Sequence, residues 1–246
     1  MERIKLLNTY IDNLSMEETV EEVDKYVEKG RPLHLMGVNA DKINELNDNE
    51  RLKRIVNDCE VINADGASVV WASRKLKKPL KERVAGIDLM ERLLALAERK
   101  GYSVYLLGAK QKVVEKTAEV IKNKYPGIRI AGFRNGYFSE EEWKNVAQNL
   151  KASKAQIVFV GITSPLKEYL VEYLQNEGVS AVLMGVGGSF DVISGNIPRA
   201  PIWMQKAGLE WLFRVFQEPG RLWKRYLVGN SRFIISVYRE KYRKSE

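Results

Sequence analysis

The stretch that decides the fold is Ala181-Val-Leu-Met-Gly-Val-Gly-Gly-Ser-Phe-Asp191, a short apolar run that passes into a glycine-rich turn. An apolar run of this length next to glycine is typical of a strand buried on both faces of a parallel sheet. Glycine lets the backbone approach a ligand and turn its N–H groups toward an anion, so the turn predicts binding of a nucleoside diphosphate. The spacing is neither G-x-G-x-x-G nor a Walker loop, and a plain tight turn is the alternative.

Similar apolar runs recur along the chain and alternate with amphipathic stretches. Candidate strands cover residues 33–38, 61–63, 103–107, 128–132, 156–160 and 181–184. Two of the helical stretches begin with capping boxes, Ser15-Met-Glu-Glu18 and Ser139-Glu-Glu-Glu142. This alternation predicts the α/β class, with a mostly parallel, Rossmann-like sheet that carries helices on both faces.

Composition excludes several classes of protein. The 246 residues include one cysteine, Cys59, and one histidine, His34, so a disulfide framework and multi-Cys or multi-His metal sites are excluded. His34 lies within an apolar run and is interpreted as a core residue rather than a catalyst. No apolar run approaches the roughly 20 residues of a membrane span, and the N-terminus lacks a signal-peptide core, so a cytoplasmic location is expected.

The positive charge is concentrated at the C-terminal end. Of the formal net charge of +8, residues 197–246 carry eleven lysines and arginines against four acids, together with nine aromatic residues. We therefore predict a catalytic domain over residues 1–196 and a basic, aromatic-rich helical segment over residues 197–246, called the C-terminal appendage below. Contact with an anionic membrane surface is the preferred interpretation, ahead of simple packing on the body and of nucleic-acid binding.

Ligands of such sheets bind outside the carboxyl ends of the strands, which selects the residues that follow each run. Asp65 follows the second run, where a carboxylate can act as general base, although an N-cap for the next helix is equally compatible. Arg83 can hold a diphosphate or form a surface salt bridge, and Asn39 can bind sugar hydroxyls. Lys167 is either a ligand-binding cation or an exposed helix charge. The remaining substrate-binding candidates at strand ends are Asp41, Gly185, Gly187, Gly188, Phe190 and Asp191.

The motifs together resemble the bacterial WecG/TagA/CpsF-type glycosyltransferases over essentially the whole chain. The resemblance is carried by the glycine-rich turn, by Ala64-Asp-Gly66 and Arg83-Val-Ala-Gly86, and by Gly208-Leu-Glu-Trp211 in the appendage. It implies an inverting, metal-independent enzyme without a cofactor. Such enzymes move N-acetylmannosamine, or a related sugar, from a UDP-sugar to undecaprenyl-diphosphate-linked N-acetylglucosamine, in the synthesis of teichoic acid linkage units and other surface polysaccharides.

The resemblance also implies roles for individual residues. Asp65 matches the catalytic base, Asn39 and Arg83 match pocket residues, and Arg214, Arg221 and Arg225 lie in the appendage that completes the site at the inner face of the cell membrane. Many members carry Gln at Lys167 and Thr at Gly37, so UDP-glucose and UDP-N-acetylmannosaminuronate remain alternative donors. A non-catalytic module that binds a nucleotide and a membrane is the alternative from another class, and self-association away from the membrane is expected.

Overall fold

A computed structural model of the protein describes residues 1–243, with the exception of the side chains of Lys206, Arg221, Leu222, Lys224 and Arg225. In chain order the strands are β1 (Arg3–Leu6), β2 (Thr9–Asp12), β3 (Leu33–Val38), β4 (Val61–Ala64), β5 (Ser103–Gly108), β6 (Arg129–Arg134), β7 (Ile157–Gly161) and β8 (Val182–Gly185). The helices are α1 (Met16–Glu28), α2 (Ala40–Glu45), α3 (Glu50–Asp58), α4 (Ala67–Lys75), α5 (Gly86–Lys100), α6 (Gln111–Lys124), α7 (Trp143–Ser153), α8 (Leu166–Asn176), α9 (Ser189–Ile193), α10 (Ile202–Lys206), α11 (Glu210–Gln217) and α12 (Pro219–Arg243).

The six predicted strands all exist and form one sheet in the order β4-β3-β8-β7-β5-β6. Every neighbouring pair in that sheet is parallel, which confirms the predicted α/β class. The hairpin of β1 and β2 was not predicted. Its Asp12 binds Arg3 at 2.8 Å and accepts a hydrogen bond from the Ile62 N–H of the edge strand β4, also at 2.8 Å.

Five of the six strands are largely buried because helices cover both faces of the sheet, whereas the edge strand β6 alternates exposed and half-buried residues. Alternate residues of β7 point to opposite sides, so that Ile157 and Phe159 pack with α1, α5 and α6, whereas Val158 and Val160 pack with α7 and α8. This period-two alternation is what a strand between two helical layers requires. Both predicted capping boxes form, and in the first the Glu18 N–H donates to Ser15 Oγ at 3.1 Å.

The last helix belongs partly to the core. Phe233 and Val237 of α12 are fully buried with Met36, Val38 and other residues of β3, β4, α2 and α4. Asn44 of α2 donates to the Gly229 carbonyl at 2.8 Å, which fixes the two helices side by side. None of the helices in the part of the chain that the structure describes combines the length and apolar character needed to cross a membrane.

Candidate active site

The carboxyl ends of four neighbouring strands meet along one half of the sheet. Because β4, β3, β8 and β7 are adjacent and parallel, the residues after them lie side by side. A Cβ atom on Gly66 would lie 3.0 Å from Asn39 Cβ, and one on Gly37 would lie 3.3 Å from Asp65 Cβ. The structure therefore brings Asn39 and Asp65 together at the ends of β3 and β4.

Asp65 is half-buried, and its carboxylate does not cap the next helix. Gly66 is the N-cap of α4 and makes no side-chain capping bond, whereas Asp65 Oδ1 accepts a hydrogen bond of 2.9 Å from the Gly86 N–H. Gly86 is the first residue of α5, so the carboxylate is fixed by a segment 21 residues further along the chain. One carboxylate oxygen is thus held by the backbone, and Oδ2 remains to meet a substrate.

Arg83 is oriented by two contacts. Its Nε donates to the Asp65 carbonyl at 2.7 Å, and its Nη2 donates to Glu210 Oε2 at 2.5 Å. The side chain is 27% exposed, so it is neither a free surface cation nor fully buried. The salt bridge that was the alternative is present, to Glu210, and the same side chain also lies beside Asp65.

A ring of contacts joins this pair to the C-terminal appendage. Glu210, which begins α11, also lies 3.5 Å from Arg199 Nε, and Arg199 Nη2 lies 2.6 Å from Asp88 Oδ1 in the first turn of α5. Burial acts to raise the pKa of the Glu210 carboxyl, but Arg83, Arg199 and Arg214 together lower it below its ordinary value. We did not predict a site role for Glu210 or Asp88, and only the position of Glu210 within Gly208-Leu-Glu-Trp211 pointed to it.

The two polar residues after β3 face different neighbours. Asn39 caps α2 by accepting a 2.9 Å hydrogen bond from the Lys42 N–H at its Oδ1, which leaves its amide nitrogen to meet a ligand. Asp41 instead lies against α12, since a Cβ atom on Gly229 would be 3.0 Å from Asp41 Oδ1. Asn39 therefore remains a pocket candidate, and Asp41 belongs to the contact between α2 and α12.

Lys167 is held inside a buried ionic network, and its side chain is only 13% exposed. Its Nζ lies 3.2 Å from Glu168 Oε1, which also binds Lys42 Nζ at 2.8 Å, and Lys42 contacts Ser164 Oγ. Burial alone would raise the pKa of the Glu168 carboxyl, but the two ammonium groups lower it to about 2. The alternative of exposed helix charges is therefore wrong for this pair.

The Lys167 side chain crosses the end of β8. A Cβ atom on Gly185 would lie 2.6 Å from Lys167 Cε and 2.9 Å from its Nζ, so only glycine leaves room for this path.

The residues of the glycine turn differ in exposure. Gly187, at φ +52°, and Gly188 are exposed and have open space beside them, as a turn that receives a ligand requires. The prediction that Phe190 contacts substrate is wrong, because Phe190 is fully buried beneath the turn, against Gly161. Asp191 is half-buried in the first turn of α9.

The predicted arginines of the appendage are placed only in part. Arg214 is exposed on α11 and lines a small cavity with Arg199, Glu210 and Ile197. Arg221 and Arg225 lie in α12, and their side chains fall outside the described residues. Among residues whose side chains are described, no group of three His, Cys, Asp or Glu side chains is arranged to hold a metal ion.

The same appendage presents large apolar side chains to solvent. Ile202 and Trp203 of α10 and Phe216 of α11 are each more than 60% exposed. Further exposed apolar residues on α12 are Trp223, Leu227, Val228, Ile234 and Ile235. Large apolar side chains exposed in this number mark the appendage as a candidate contact surface.

The parallel α/β sheet thus carries a fixed carboxylate, an oriented arginine and an open glycine turn along one edge, at the strand ends where ligands of such sheets bind. Residues 4–246 match the family described as Glycosyl transferase WecG/TagA/CpsF family. The chain belongs to this family and is a glycosyltransferase, which confirms the resemblance and the prediction of an enzyme. It is also 35% identical over 202 residues, covering 82% of this chain and 77% of the relative, to the N-acetylglucosaminyldiphosphoundecaprenol N-acetyl-beta-D-mannosaminyltransferase of Bacillus spizizenii (strain ATCC 23059 / NRRL B-14472 / W23).

Proposed function

We propose that the chain transfers N-acetylmannosamine from its UDP-sugar to undecaprenyl-diphosphate-linked N-acetylglucosamine, in the synthesis of a surface polysaccharide such as a teichoic acid linkage unit. The activity for which the Bacillus spizizenii relative is named supports the acceptor and the sugar. The observation that carries the proposal is the half-buried Asp65 carboxylate, with Oδ1 held by Gly86 and Arg83 beside it.

The proposed reaction is a single displacement that inverts the anomeric carbon. The acceptor hydroxyl oxygen forms a bond to that carbon while the bond to the UDP oxygen breaks, and the hydroxyl proton passes to Asp65. Negative charge develops on the leaving UDP, where Arg83, Arg214 and the N–H groups of the glycine turn can stabilise it. These groups support a mechanism in which protein cations and amides, rather than a metal ion or cofactor, stabilise the leaving group.

We place the enzyme on the inner face of the cell membrane, as a peripheral protein. The acceptor carries a polyprenyl chain that lies in the bilayer, so the reacting sugar is found only at the membrane surface. The exposed Ile202, Trp203 and Phe216, together with the basic composition of the appendage, suit an anionic lipid surface. This arrangement would bring the ring of ionic contacts that includes Arg199 and Glu210 close to the lipid headgroups.

One observation favours a second candidate donor. The Lys167 ammonium lies at the end of β8, next to the glycine turn to which we assign the nucleotide. A cation in that position can pair with a carboxylate, as in UDP-N-acetylmannosaminuronate. A screen of UDP-sugars with one lipid-diphosphate-N-acetylglucosamine acceptor separates the candidates, because only the true donor gives acceptor-dependent release of UDP.

The base is tested by Asp65→Asn, which keeps the size and one acceptor oxygen but cannot take the proton. We expect turnover to fall about 100- to 10,000-fold while UDP binding changes little, since general-base catalysis contributes a factor of this order. The matched control is Asp58→Asn. Asp58 is an exposed carboxylate at the end of α3 and precedes β4, whereas Asp65 follows β4. Undiminished turnover in Asp65→Asn would remove Asp65 from the mechanism.

A further inference from the structure

Glu210 connects the appendage to the loops around Asp65 through a closed ring of contacts. In the ring, Glu210 binds Arg83, Arg83 binds the Asp65 carbonyl, and the Asp65 carboxylate accepts from Gly86 at the start of α5. The ring closes through Asp88 of α5, which pairs with Arg199, and through the 3.5 Å approach of Arg199 to Glu210. Glu210 and Arg199 belong to the appendage, and the other members belong to the body.

The position of Glu210 makes its contact with Arg83 more than a surface ion pair. Its side chain is 15% exposed, and a charge-assisted hydrogen bond in such a setting is stronger and less screened by salt than one in water. Glu210 is also the first residue of α11, where the helix dipole favours a negative charge. Burial opposes ionisation of the carboxyl, but its arginine partners, Arg83 foremost, keep it ionised.

Arg83 depends on Glu210 for its orientation. The Nε contact to the Asp65 carbonyl fixes one point of the guanidinium, and the plane can still turn about that point. The Nη2 contact to Glu210 supplies the second point, which defines the plane and the direction in which the remaining N–H groups face. An arginine that must meet a diphosphate needs this orientation, because misplacement by about 1 Å can cost a factor of order 100 in rate.

We propose that Glu210 is a positioning residue: when the appendage is docked, Glu210 orients the Arg83 guanidinium for the substrate diphosphate and stabilises the loop that fixes Asp65. Its effect on turnover rests on the proposed function. Because Glu210 lies in the appendage and Arg83 in the body, docking of the appendage and assembly of the diphosphate site are the same event.

The test uses Glu210→Ala and Glu210→Gln in the full chain. We expect kcat/KM for UDP release to fall about 10- to 100-fold in Glu210→Ala, and less in Glu210→Gln, whose amide oxygen can still accept from Arg83. In an Arg83→Lys background, Glu210→Ala should cause no further loss beyond about twofold, because a residue that acts through Arg83 has nothing left to orient. The control is Glu240→Gln, which removes a carboxylate of the appendage that pairs with Arg243 at 2.8 Å, away from the ring.

A second readout does not depend on turnover. Hydrogen–deuterium exchange of the segment 83–86 should rise in Glu210→Ala, because Arg83 loses one of its two anchors and then holds Asp65, the acceptor of the Gly86 N–H, less firmly. It should match the unaltered chain in Glu240→Gln. The proposal would be overturned by unchanged exchange or by raised activity in Glu210→Ala. It would also be overturned if Glu210→Ala lowered kcat/KM by the same factor in the Arg83→Lys background as in the unaltered chain. If exchange rises but the unaltered chain turns over no UDP-sugar, the positioning role stands and the proposed function fails.

Discussion

Asp65 shows why a single residue can be found in the sequence without its role being fixed. Its place after an apolar run predicted a position at the end of a strand, and the structure confirms that position. Whether its carboxylate caps α4 depends on Gly86, whose N–H meets the carboxylate only in the folded chain. Local residues could not decide this question, because the deciding contact is long-range.

His34 gives a prediction for stability in acid. Burial lowers the pKa of its imidazole from 6.5 to about 4, while Glu168 opposes and Lys167 and Lys42 assist that decrease. Between these two pH values the unfolded chain binds a proton that the folded chain excludes, so stability falls as the pH decreases from 6.5 to 4. His34 should contribute a loss of up to about 1.4 kcal/mol in the free energy of unfolding per pH unit in that window.

Urea unfolding between about pH 7 and 5 measures this contribution. His34→Gln removes the titrating group, so its free energy of unfolding should vary less steeply with pH than that of the unaltered chain. Glu168, whose folded pKa is below its ordinary value, contributes stability that is lost only at lower pH and leaves this window clear. Equal slopes for the two proteins would contradict the assignment.

The burial of Lys167 and Glu168 could not be read from the residues that carry them. Two adjacent charges at the start of a helix indicate a solvated surface on composition alone. Their burial depends on Lys42 of α2, whose ammonium pairs with Glu168, and on Gly185, which leaves room for the Lys167 side chain. Both are consequences of strand order, which the sequence pattern does not specify.

At the scale of elements, the parallel strands were predictable and the N-terminal hairpin was not. Five of the six strands of the main sheet are largely apolar runs because helices cover both faces, and this pattern is strong. The edge strand β6 instead alternates exposed and half-buried residues. The strands β1 and β2 have four residues each and mix charged and apolar side chains. The hairpin is held by the burial of Leu6 and Ile11 and by Asp12, which binds Arg3 and accepts from the Ile62 N–H, 50 positions away.

Helix α12 should contribute to the stability of the fold through one of its faces only. Phe233 is 1% exposed within the core that includes Met36 and Val38, so Phe233→Ala should lower the free energy of unfolding by about 3–5 kcal/mol. Ile235, two residues further on the same helix, is 52% exposed, and Ile235→Ala should stay within about 0.5 kcal/mol. Chemical unfolding of both variants provides the comparison, and equal losses would show that α12 does not contribute to the core as described.

This packing also decides how the appendage should be studied. Deleting residues 197–246 would remove Phe233 and Val237 together with the surface residues, so any loss of activity would mix folding with function. Point substitutions on exposed positions separate the two. The division of the chain at residue 196 therefore remains a prediction about function, while the hydrophobic core extends beyond it.

At the scale of the whole molecule, charge and exposed apolar area coincide in the appendage. We predict that Trp203→Ala combined with Phe216→Ala lowers binding to vesicles of phosphatidylglycerol and phosphatidylcholine by at least about tenfold, because both side chains would lose contact with the membrane interface. The control is Tyr137→Ala, a 72% exposed aromatic residue of the body. Cosedimentation measures the bound fraction, and higher salt should weaken binding to the anionic vesicles.

Two results would contradict this orientation. One is equal binding of the double variant and the Tyr137→Ala control, which would show that these aromatic residues do not face the lipid. The other is equal affinity for vesicles made of phosphatidylcholine alone, which would show that the cationic composition of the appendage has no part in recognition.

The hairpin of β1 and β2 has a consequence for aggregation. A bare border of a sheet is a template on which another chain can add a strand. Here Asp12 already accepts a hydrogen bond from the Ile62 N–H of the edge strand β4. The other edge strand, β6, begins and ends with arginine. Addition of a strand from another chain to β4 or β6 is thus disfavoured. We expect copies that associate in water to do so through the exposed aromatic residues of the C-terminal appendage. Detergent should therefore dissolve such assemblies more readily than urea at concentrations that leave the fold intact.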